Sequence, residues 1–197
     1  MMIHTGCSVV FEEFLVWEEL SRLIDYSLTR EDDFRISQVV AGSDPAYRDH
    51  RRSRILLDTG QHHEVICERI AFYLPQIVRA LAMPMFTPSR VESQITTSNH
   101  GDYFKLHEDN TRGCPPTREL SYVYYFHREP KRFEGGELLL YSLPGESASV
   151  TPERVAPSQN TIVFFASARP HEVSPVTCAT GAFSDGRFTL NGWIHRA

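Results

Sequence analysis

A succession of short, strand-like runs constrains the fold of this chain more than any other sequence feature. The runs follow Pro84, are rich in β-branched and aromatic residues, and are separated by Gly, Pro and Asn. Many short strands with turn signals and few intervening helices indicate an antiparallel sandwich or barrel. The predicted strands cover residues 91–98, 103–107, 120–126, 137–141, 161–165 and 187–193.

The first third of the chain has helical periodicity instead. Apolar residues recur at helical spacing over residues 10–24 and again over about 62–83, where Pro75 predicts a kink or two abutting helices. We therefore predict an α+β chain forming a single domain over residues 1–197. In it a helical layer (about 8–85) supports a C-terminal β-barrel or jelly roll (about 90–196).

A histidine and a carboxylate, His107 and Asp109, stand two residues apart in and just after one predicted strand. Residues i and i+2 of a strand point to the same face, so both side chains can reach one metal ion. An H-x-D tripeptide also occurs by chance in many proteins. The pair therefore gains weight only from other residues.

A second histidine and an arginine supply that weight. His171 follows the apolar strand at 161–165, and two His plus one carboxylate with open positions is the ligand set of non-haem Fe(II) oxygenases. Arg187 begins a strand of otherwise apolar character, and its planar guanidinium suits bidentate binding of a carboxylate. Taken alone, His171 fits a core or turn histidine, and Arg187 fits an exposed strand end.

The order of five motifs resembles that of the 2-oxoglutarate- and Fe(II)-dependent dioxygenases, and most closely their prolyl-4-hydroxylase-like branch. The motifs are H-x-D, a Tyr-rich strand at 118–127, F-x-G-G-x-L, F-F-x-S-x-x-x-H-E-V-x-P-V and G-R-F-x-L-x-x-W. The resemblance covers roughly residues 90–196. The Gly-Gly pair by itself indicates only a tight turn or a bulge.

The resemblance implies a double-stranded β-helix, jelly-roll or cupin-like, with Fe(II) bound by His107, Asp109 and His171. It further implies that Arg187 binds the distal carboxylate of 2-oxoglutarate, that Tyr125 hydrogen-bonds to it, and that Thr189 assists. Trp193 is expected to be core beneath the site.

The activity implied by the resemblance is hydroxylation of an unactivated C–H bond with O2, with release of succinate and CO2. Ascorbate is a candidate reductant. The carboxylate of Asp109 favours hydroxylation, since related halogenases lack this ligand. Substrate candidates are a prolyl residue in a peptide, free proline or another amino acid, and a natural-product intermediate. Candidate substrate contacts are His127, Arg118 and Arg112.

One spacing departs from the family pattern. The family's Arg usually lies nine or ten residues after the second His, whereas Arg187 lies sixteen residues after His171. Residues 176–185 therefore resemble an insertion, and the fit of the surrounding motif favours Arg187 over Arg169 and Arg196. Loops 111–118, 142–149 and 174–185 are expected to rim the site.

Composition narrows the setting. A net charge of −5 argues against a general nucleic-acid or anionic-membrane surface, and the basic cluster at residues 50–54 is expected to be a solvated or salt-bridged loop. Four scattered cysteines without a C-x-x-C pair, no apolar run of spanning length and a poor signal-peptide pattern favour a cytoplasmic protein. Oligomeric state is left open.

Two other classes of protein fit the same barrel. One is a non-catalytic barrel that binds a metal or a small acid, which a displaced Arg187 or metal ligand would favour. The other is a redox-inactive metal enzyme of the cupin type, which usually uses more histidines. For that class the additional histidines to examine are His100, His127 and His195.

Overall fold

The computed structural model describes residues 1–37, 50–110, 117–143, 145–146 and 151–197. Its helices are α1 (Trp17–Leu28) and α2 (His62–Ala80), with short 3-10 turns at Glu31–Asp33 and Phe183–Asp185. The strands are β1 (Met2–His4), β2 (Val9–Glu12), β3 (Arg35–Ile36), β4 (Arg51–Arg52), β5 (Arg54–Leu56), β6 (Pro88–Ser98), β7 (Tyr103–His107), β8 (Arg118–Phe126), β9 (Phe133–Gly135), β10 (Leu138–Leu140), β11 (Glu153–Val155), β12 (Thr161–Ala166), β13 (His171–Val173), β14 (Val176–Cys178) and β15 (Arg187–Arg196).

Within the described ranges the strands form two main sheets and a small one. The larger sheet has the order β1-β2-β12-β8-β15-β6-β5-β3, and the second has the order β11-β10-β13-β7-β4. Strands β14 and β9 form a separate pair. The pairs at the centre, β8 with β15 and β7 with β13, are antiparallel. This agrees with the predicted antiparallel sandwich or barrel.

Strand β8 shows how the larger sheet serves two cores. Alternate residues of a strand face opposite sides, and Tyr122 and Tyr124 point into a cluster shared with the helices. Their neighbours Val123 and Tyr125 point the other way, into a cluster that includes Leu138 of the second sheet. One face of β8 therefore supports the helices, while the other contributes to the space between the sheets.

The two helices cover the outer face of the larger sheet. Helix α1 buries Leu20 and Leu23, and the carboxylate of Glu19 accepts a hydrogen bond from the Val16 N–H at 3.1 Å, which satisfies a free donor at the start of the helix. Helix α2 buries one apolar stripe against the same core, made up of Ile66, Ile70, Leu74, Ile77 and Val78.

The predicted helix over residues 10–24 is wrong at its start. Residues Val9–Glu12 form β2, which pairs with β1 and β12, and helix α1 begins only at Trp17. The side chain of Asn160 bonds both the N–H and the C=O of Leu15, at 2.9 and 2.8 Å. These bonds fix the link between strand and helix, a long-range contact that local periodicity does not encode.

Helix α2 runs as one element through Pro75, so the predicted division into two helices does not occur. It ends at Ala80, three residues before the predicted end. The predicted strands all lie within strands of the structure or overlap them, but the sequence pattern missed the shortest ones. Strands β3, β4, β9 and β14 have only two or three residues, too few to show an alternating pattern.

Candidate metal and cosubstrate site

The candidate site is a cavity between the two main sheets, with about 630 Å³ of empty space including its open mouth. Polar side chains of β15, β13 and the end of β7 project into it. Apolar side chains surround them, among them Leu138, Phe165 and Val173. The cavity therefore combines a few ionisable groups with a largely apolar wall, as ligand sites commonly do.

Three side chains predicted as metal ligands meet at one end of this cavity. His107 is the last residue of β7 and is the direct cross-strand partner of His171, the first residue of β13. Asp109 follows two residues after His107, and one ligand atom from each side chain lies within 4.8 Å of the other two. Asp109 Oδ1 is 3.7 Å from His107 Nε2, and its Oδ2 is 3.5 Å from His171 Nε2.

Backbone carbonyls orient both imidazole rings. His107 Nδ1 lies 2.8 Å from the carbonyl oxygen of Lys105, and His171 Nδ1 lies 2.8 Å from that of Arg169. Donation from Nδ1 leaves Nε2 as the lone-pair nitrogen that faces the other ligands. Burial, reinforced by the neighbouring His171, lowers the pKa of His107 to about 3, which keeps this ring neutral near pH 7.

Asp109 is fixed from the opposite side by hydroxyl and backbone groups. Ser121 donates a hydrogen bond to its Oδ2 at 2.6 Å, Ser121 and Ser167 hydroxyls are 2.9 Å apart, and the Asp109 N–H donates to the Ser167 carbonyl at 3.0 Å. Burial alone would raise the pKa of Asp109. The neighbouring His171 and His107, with the Ser121 hydrogen bond, hold its pKa below the ordinary value.

These features fit a divalent iron. Two imidazole nitrogens and one carboxylate at adjacent strand ends are the ligand set of non-haem Fe(II) sites that keep open positions. The partners of both rings and of the carboxylate are the type of outer contact that orients metal ligands. Among the residues that the structure describes, this trio is the one group of three or more ligand side chains close enough to share an ion.

Arg187 opens β15 and points into the same cavity, where it is 3% exposed. Its Nε donates a 2.8 Å hydrogen bond to the carbonyl of Gly136. Burial lowers the pKa of its guanidinium, yet no carboxylate in the described ranges forms an ion pair with it. A buried cation without a counter-charge is costly, so this position calls for an anion.

Tyr125 and Thr189, predicted to share that anion, lie beside Arg187. The ring of Tyr125 is 5.0 Å from the guanidinium carbon, and its buried hydroxyl makes no hydrogen bond of normal geometry to any protein group that is described. Burial raises the pKa of Tyr125 to about 12, so the phenol remains a donor. Thr189 lines the cavity, and its hydroxyl donates to Asn191 Oδ1 at 3.2 Å.

This second group fits one carboxylate of a dicarboxylic acid such as 2-oxoglutarate. The guanidinium offers a charged, planar pair of donors, and the phenol offers a buried donor that lacks an acceptor. Both lie in the cavity that holds the three candidate ligands. A single ligand in this cavity would therefore face both groups.

The structure does not bring two of the predicted substrate residues, Arg118 and His127, to this cavity. Arg118 Nη2 donates a hydrogen bond to Glu92 at 2.7 Å, and its guanidinium carbon lies 3.7 Å from the centre of the Trp193 ring. His127 is buried against the ring of Phe133, 5.6 Å away. Arg112 and most of loop 111–118 lie outside the described residues.

Other sequence predictions around the site have mixed outcomes. Trp193 lines the cavity instead of lying in the core beneath it. Residues 174–185 contain β14 and a 3-10 turn that packs against Phe34 and Phe188 through Phe183, and none of these residues lines the cavity. The part of loop 142–149 that is described does not line it either.

Three residues that shape the site were not predicted from the sequence as site residues. Gly136 supplies the carbonyl that fixes Arg187, and Ser121 supplies the hydroxyl that fixes Asp109. Arg51, from the basic cluster expected to be solvated, lines the cavity instead. The Gly-Gly pair was a signal for the first, but nothing local to Ser121 or Arg51 marks either as part of a site.

Comparison with known proteins supports the same kind of site as the geometry does. The chain is 32% identical over 191 residues to an uncharacterized PKHD-type hydroxylase of Synechocystis sp., an alignment that covers 94% of this chain. The chain spans 62% of the length of that curated relative.

Solved structures share the fold at lower identity. A Pseudomonas putida prolyl-4-hydroxylase superposes with a TM-score of 0.69 at 22% identity, over 98% of this chain and 94% of that one. A Trichoplax adhaerens prolyl hydroxylase, solved with a hypoxia inducible factor oxygen degradation domain peptide fragment, gives 0.66 at 20% identity, over 98% and 84%. At these identities the likeness shows the fold alone.

The family match covers the part of the chain that builds the cavity. Residues 93–195, just over half of the 197, match the 2OG-Fe(II) oxygenase superfamily, whose fold is a double-stranded β-helix. The match includes His107, Asp109, His171 and Arg187. The chain therefore belongs to the 2OG-Fe(II) oxygenase superfamily.

Proposed function

We propose that this chain is an Fe(II)- and 2-oxoglutarate-dependent dioxygenase that hydroxylates an unactivated C–H bond and releases succinate and CO2. The observation that carries the proposal is the meeting of two groups in one cavity. His107, Asp109 and His171 lie within ligand distance of one point, and Arg187 lies in the same cavity without a carboxylate partner in the described ranges.

His107, Asp109 and His171 would hold the iron. When bound, Fe(II) supplies the activation of O2 and the oxidative decarboxylation of 2-oxoglutarate, chemistry that protein side chains lack. The role of this chain is to aim both rings, through the Lys105 and Arg169 carbonyls, and to keep the carboxylate ionised. Carboxylate ligation is what we expect of a hydroxylase.

Arg187, Tyr125 and Thr189 would hold the distal carboxylate of 2-oxoglutarate. The guanidinium is already fixed at Nε by Gly136, so it loses little freedom when its remaining N–H groups take up a ligand. The Tyr125 hydroxyl would gain the acceptor that it lacks. Formally, a divalent metal, the dianionic cosubstrate, Asp109 and Arg187 then sum to zero charge.

The wall of the cavity would protect this chemistry from water. The Phe165 ring packs edge-on against His171 at 4.7 Å, and Phe104 stacks on His107 at 3.5 Å. Apolar contacts of this kind exclude solvent from one side of each ring and lower the local dielectric constant. The open mouth leaves room for a substrate beside the cosubstrate.

The candidate substrates fall into three classes. A prolyl residue in a peptide is supported by the two prolyl hydroxylases that share the fold, one of which was solved with a peptide. Free proline, another amino acid and a natural-product intermediate fit the same chemistry, because fold does not fix substrate. We further propose ascorbate as a reductant and the cytoplasm as location.

The geometry favours a dioxygenase over the other two classes of protein. A binding barrel would be favoured by a displaced ligand or Arg187, and all four side chains line the cavity. A histidine-rich cupin site would need additional histidines there. His195 is instead held by Thr117 at 2.9 Å, and His100 lies by the Cys178 N–H at 3.4 Å.

The proposal extends to the domain organisation of the chain and to its binding partners. We propose that the whole chain acts as one domain, with the helices stabilising the sheet that carries the site, and that its partner is a small-molecule or peptidyl substrate and not nucleic acid. Neither helix in the described part of the chain is long and apolar enough to cross a membrane.

The experiment that tests the activity measures succinate formed from 2-oxoglutarate by the Fe(II)-loaded protein, with L-proline or a prolyl peptide as candidate substrates. We expect O2-dependent succinate from the wild type and a loss of at least about 100-fold in Asp109→Ala, since one ligand is removed. Arg196→Gln, which alters an exposed arginine paired with Glu119, is the control. O2-dependent succinate formation that Asp109→Ala leaves unchanged would contradict the proposal.

A further inference from the structure

The cavity contains a second, partly buried arginine that the proposed chemistry does not use. Arg51 lies on β4, at the edge of the second main sheet. It lines the same cavity as Arg187 and the candidate metal ligands. The sequence pattern at residues 50–54 predicts a solvated or salt-bridged loop instead. Its place in the cavity wall therefore needs an explanation in terms of what it faces.

Neutral groups hold the Arg51 side chain in place. Its Nε donates to Ser53 Oγ at 2.9 Å, and its Nη2 donates to Thr96 Oγ1 at 3.4 Å. The guanidinium carbon lies 4.8 Å from the centre of the Phe104 ring, and that ring stacks on His107. Arg51 is thus fixed one ring away from a candidate metal ligand.

Arg51 remains charged and has no ion-pair partner among the residues described. Burial lowers the pKa of Arg51 to about 10, while the nearby Asp109 raises it and Arg187 lowers it. The guanidinium is therefore protonated near pH 7. Asp109, the nearby carboxylate, is the residue expected to bind the metal.

The positive charge of Arg51 has no counterpart among the charged groups that the proposed function uses. With Fe(II), 2-oxoglutarate, Asp109 and Arg187 in formal balance, Arg51 adds one uncompensated positive charge to a cavity with a largely apolar wall. A charge that is partly withdrawn from water and lacks a counter-charge is unfavourable. A second anion in the cavity would offset that cost, and a fixed guanidinium is well suited to bind a carboxylate.

We propose that Arg51 binds a carboxylate of the substrate, so that the substrates of this enzyme are carboxylic acids oriented by Arg51 beside the metal. This inference rests on the proposed function and deepens it. The carboxylate has two possible sources, the α-carboxylate of a free amino acid or an acidic side chain next to the target residue of a peptide.

The neighbouring residue provides a matched control. Arg52 follows Arg51 on β4, and alternation along the strand turns its side chain to the opposite face. That side chain is 67% exposed, and its Nε lies 3.5 Å from Asp102. Arg52→Gln removes the same charge from the same strand without entering the cavity.

The test measures binding by calorimetry, under strictly anaerobic conditions, to protein loaded with Fe(II) and 2-oxoglutarate. One pair of probes is L-proline and L-prolinamide. The other is a capped Ala-Pro-Glu peptide and its capped Ala-Pro-Gln analogue. In each pair the two compounds differ by a single carboxylate, so their affinity ratio isolates its contribution and the pair that shows a ratio identifies its source.

We expect the wild type to bind the acid of at least one pair about tenfold or more tightly than the amide, as for a charge-assisted pair. Arg51→Gln should abolish that ratio, Arg51→Lys should retain part of it, and Arg52→Gln should leave it unchanged. Equal affinities for acid and amide in both pairs, or a ratio that survives Arg51→Gln, would overturn the proposal.

Affinity for 2-oxoglutarate separates this inference from the function on which it rests. Arg51→Gln should leave that affinity unchanged, while Arg187→Ala should weaken it. If Arg51→Gln weakens 2-oxoglutarate binding as much as Arg187→Ala does, Arg51 binds the cosubstrate and this inference fails while the dioxygenase assignment stands. If the wild type binds no 2-oxoglutarate, the proposed function itself fails.

Discussion

Arg187 hydrogen-bonds to the backbone of Gly136, and its side chain lies so close to Gly136 that only a residue without a Cβ fits there. Arg187 Nε donates to the Gly136 carbonyl at 2.8 Å, and a Cβ on Gly136 would lie 2.5 Å from Arg187 Cδ. Gly136 also has φ of 70°, in the left-handed region. The glycine thus fixes the guanidinium that we propose binds 2-oxoglutarate.

Replacing Gly136 by alanine should therefore weaken 2-oxoglutarate binding. The added methyl group must displace Arg187 and disturb a charged hydrogen bond of about 1.5–3 kcal/mol, which corresponds to roughly tenfold or more in Kd. Gly181→Ala is the control, because Gly181 has a similar φ of 64° but no atom within 4 Å of an added Cβ. Equal effects of the two variants would contradict this role for Gly136.

Tyr125→Phe should separate stability from cosubstrate binding. The Tyr125 hydroxyl is buried and has no acceptor for its proton among the described residues, so its removal should leave the free energy of unfolding of the ligand-free protein unchanged or raise it by about 1 kcal/mol. The same change should weaken 2-oxoglutarate binding several-fold. Chemical denaturation and calorimetry measure the two quantities.

The adjacent Tyr124 provides the opposite case. Its hydroxyl, on the helix-facing side of β8, bonds Asn160 Oδ1 at 2.8 Å. Tyr124→Phe should therefore cost about 1 kcal/mol of stability and leave 2-oxoglutarate affinity unchanged. If Tyr125→Phe destabilised the protein as much as Tyr124→Phe and spared binding, the Tyr125 assignment would be wrong.

Ser121→Ala should weaken metal binding without unfolding the protein. Ser121 donates to Asp109 at 2.6 Å, and loss of such an outer contact typically lowers metal affinity about 10- to 100-fold. Anaerobic Fe(II) titration gives the affinity. Ser93→Ala removes a hydroxyl bonded to Tyr122 at 2.6 Å on the helix-facing side of the same sheet, and should leave metal affinity unchanged.

His62 should make the metal-free protein sensitive to acid. It is 5% exposed at the start of α2, and burial lowers its pKa. Below about pH 6.5 the unfolded chain takes up a proton at His62 before the folded chain does. The free energy of unfolding therefore decreases as the pH is lowered, by at most about 1.4 kcal/mol per pH unit from this group. The decrease continues until the pH reaches the pKa of His62 in the folded protein.

The pH dependence of wild type and His62→Gln isolates that contribution. Urea unfolding at pH 7.5 and pH 5.5 should show a smaller loss of stability in the variant than in the wild type. The absolute stability of the variant does not matter for this comparison. An identical loss in both proteins would show that His62 is not the group responsible.

What the sequence predicted well depends on regular spacing. The i, i+2 relation of His107 and Asp109 survives folding because strand alternation is local, and the apolar run before His171 locates that residue at the start of the neighbouring strand. Alternation also predicts that Tyr125 and Tyr124 face opposite sides of β8. These relations follow from backbone geometry alone.

What the sequence did not predict depends on contacts between distant segments. Val9–Glu12 joins the sheet because β12, about 150 residues away, pairs with it. Arg51 enters the cavity because β4 pairs with β7 and brings its side chain over Phe104. A cluster of arginines has the composition of a solvated loop, and only the tertiary pairing shows that one member lines the cavity.

The most direct test of the central claim is an anaerobic titration of the purified metal-free protein, first with Fe(II) and then with 2-oxoglutarate, followed by visible absorption. The account predicts a charge-transfer band that requires 2-oxoglutarate and weakens in both Asp109→Ala and Arg187→Ala. Absence of that band in wild-type protein with iron demonstrably bound would contradict the account and leave the likeness to the oxygenases as one of fold alone.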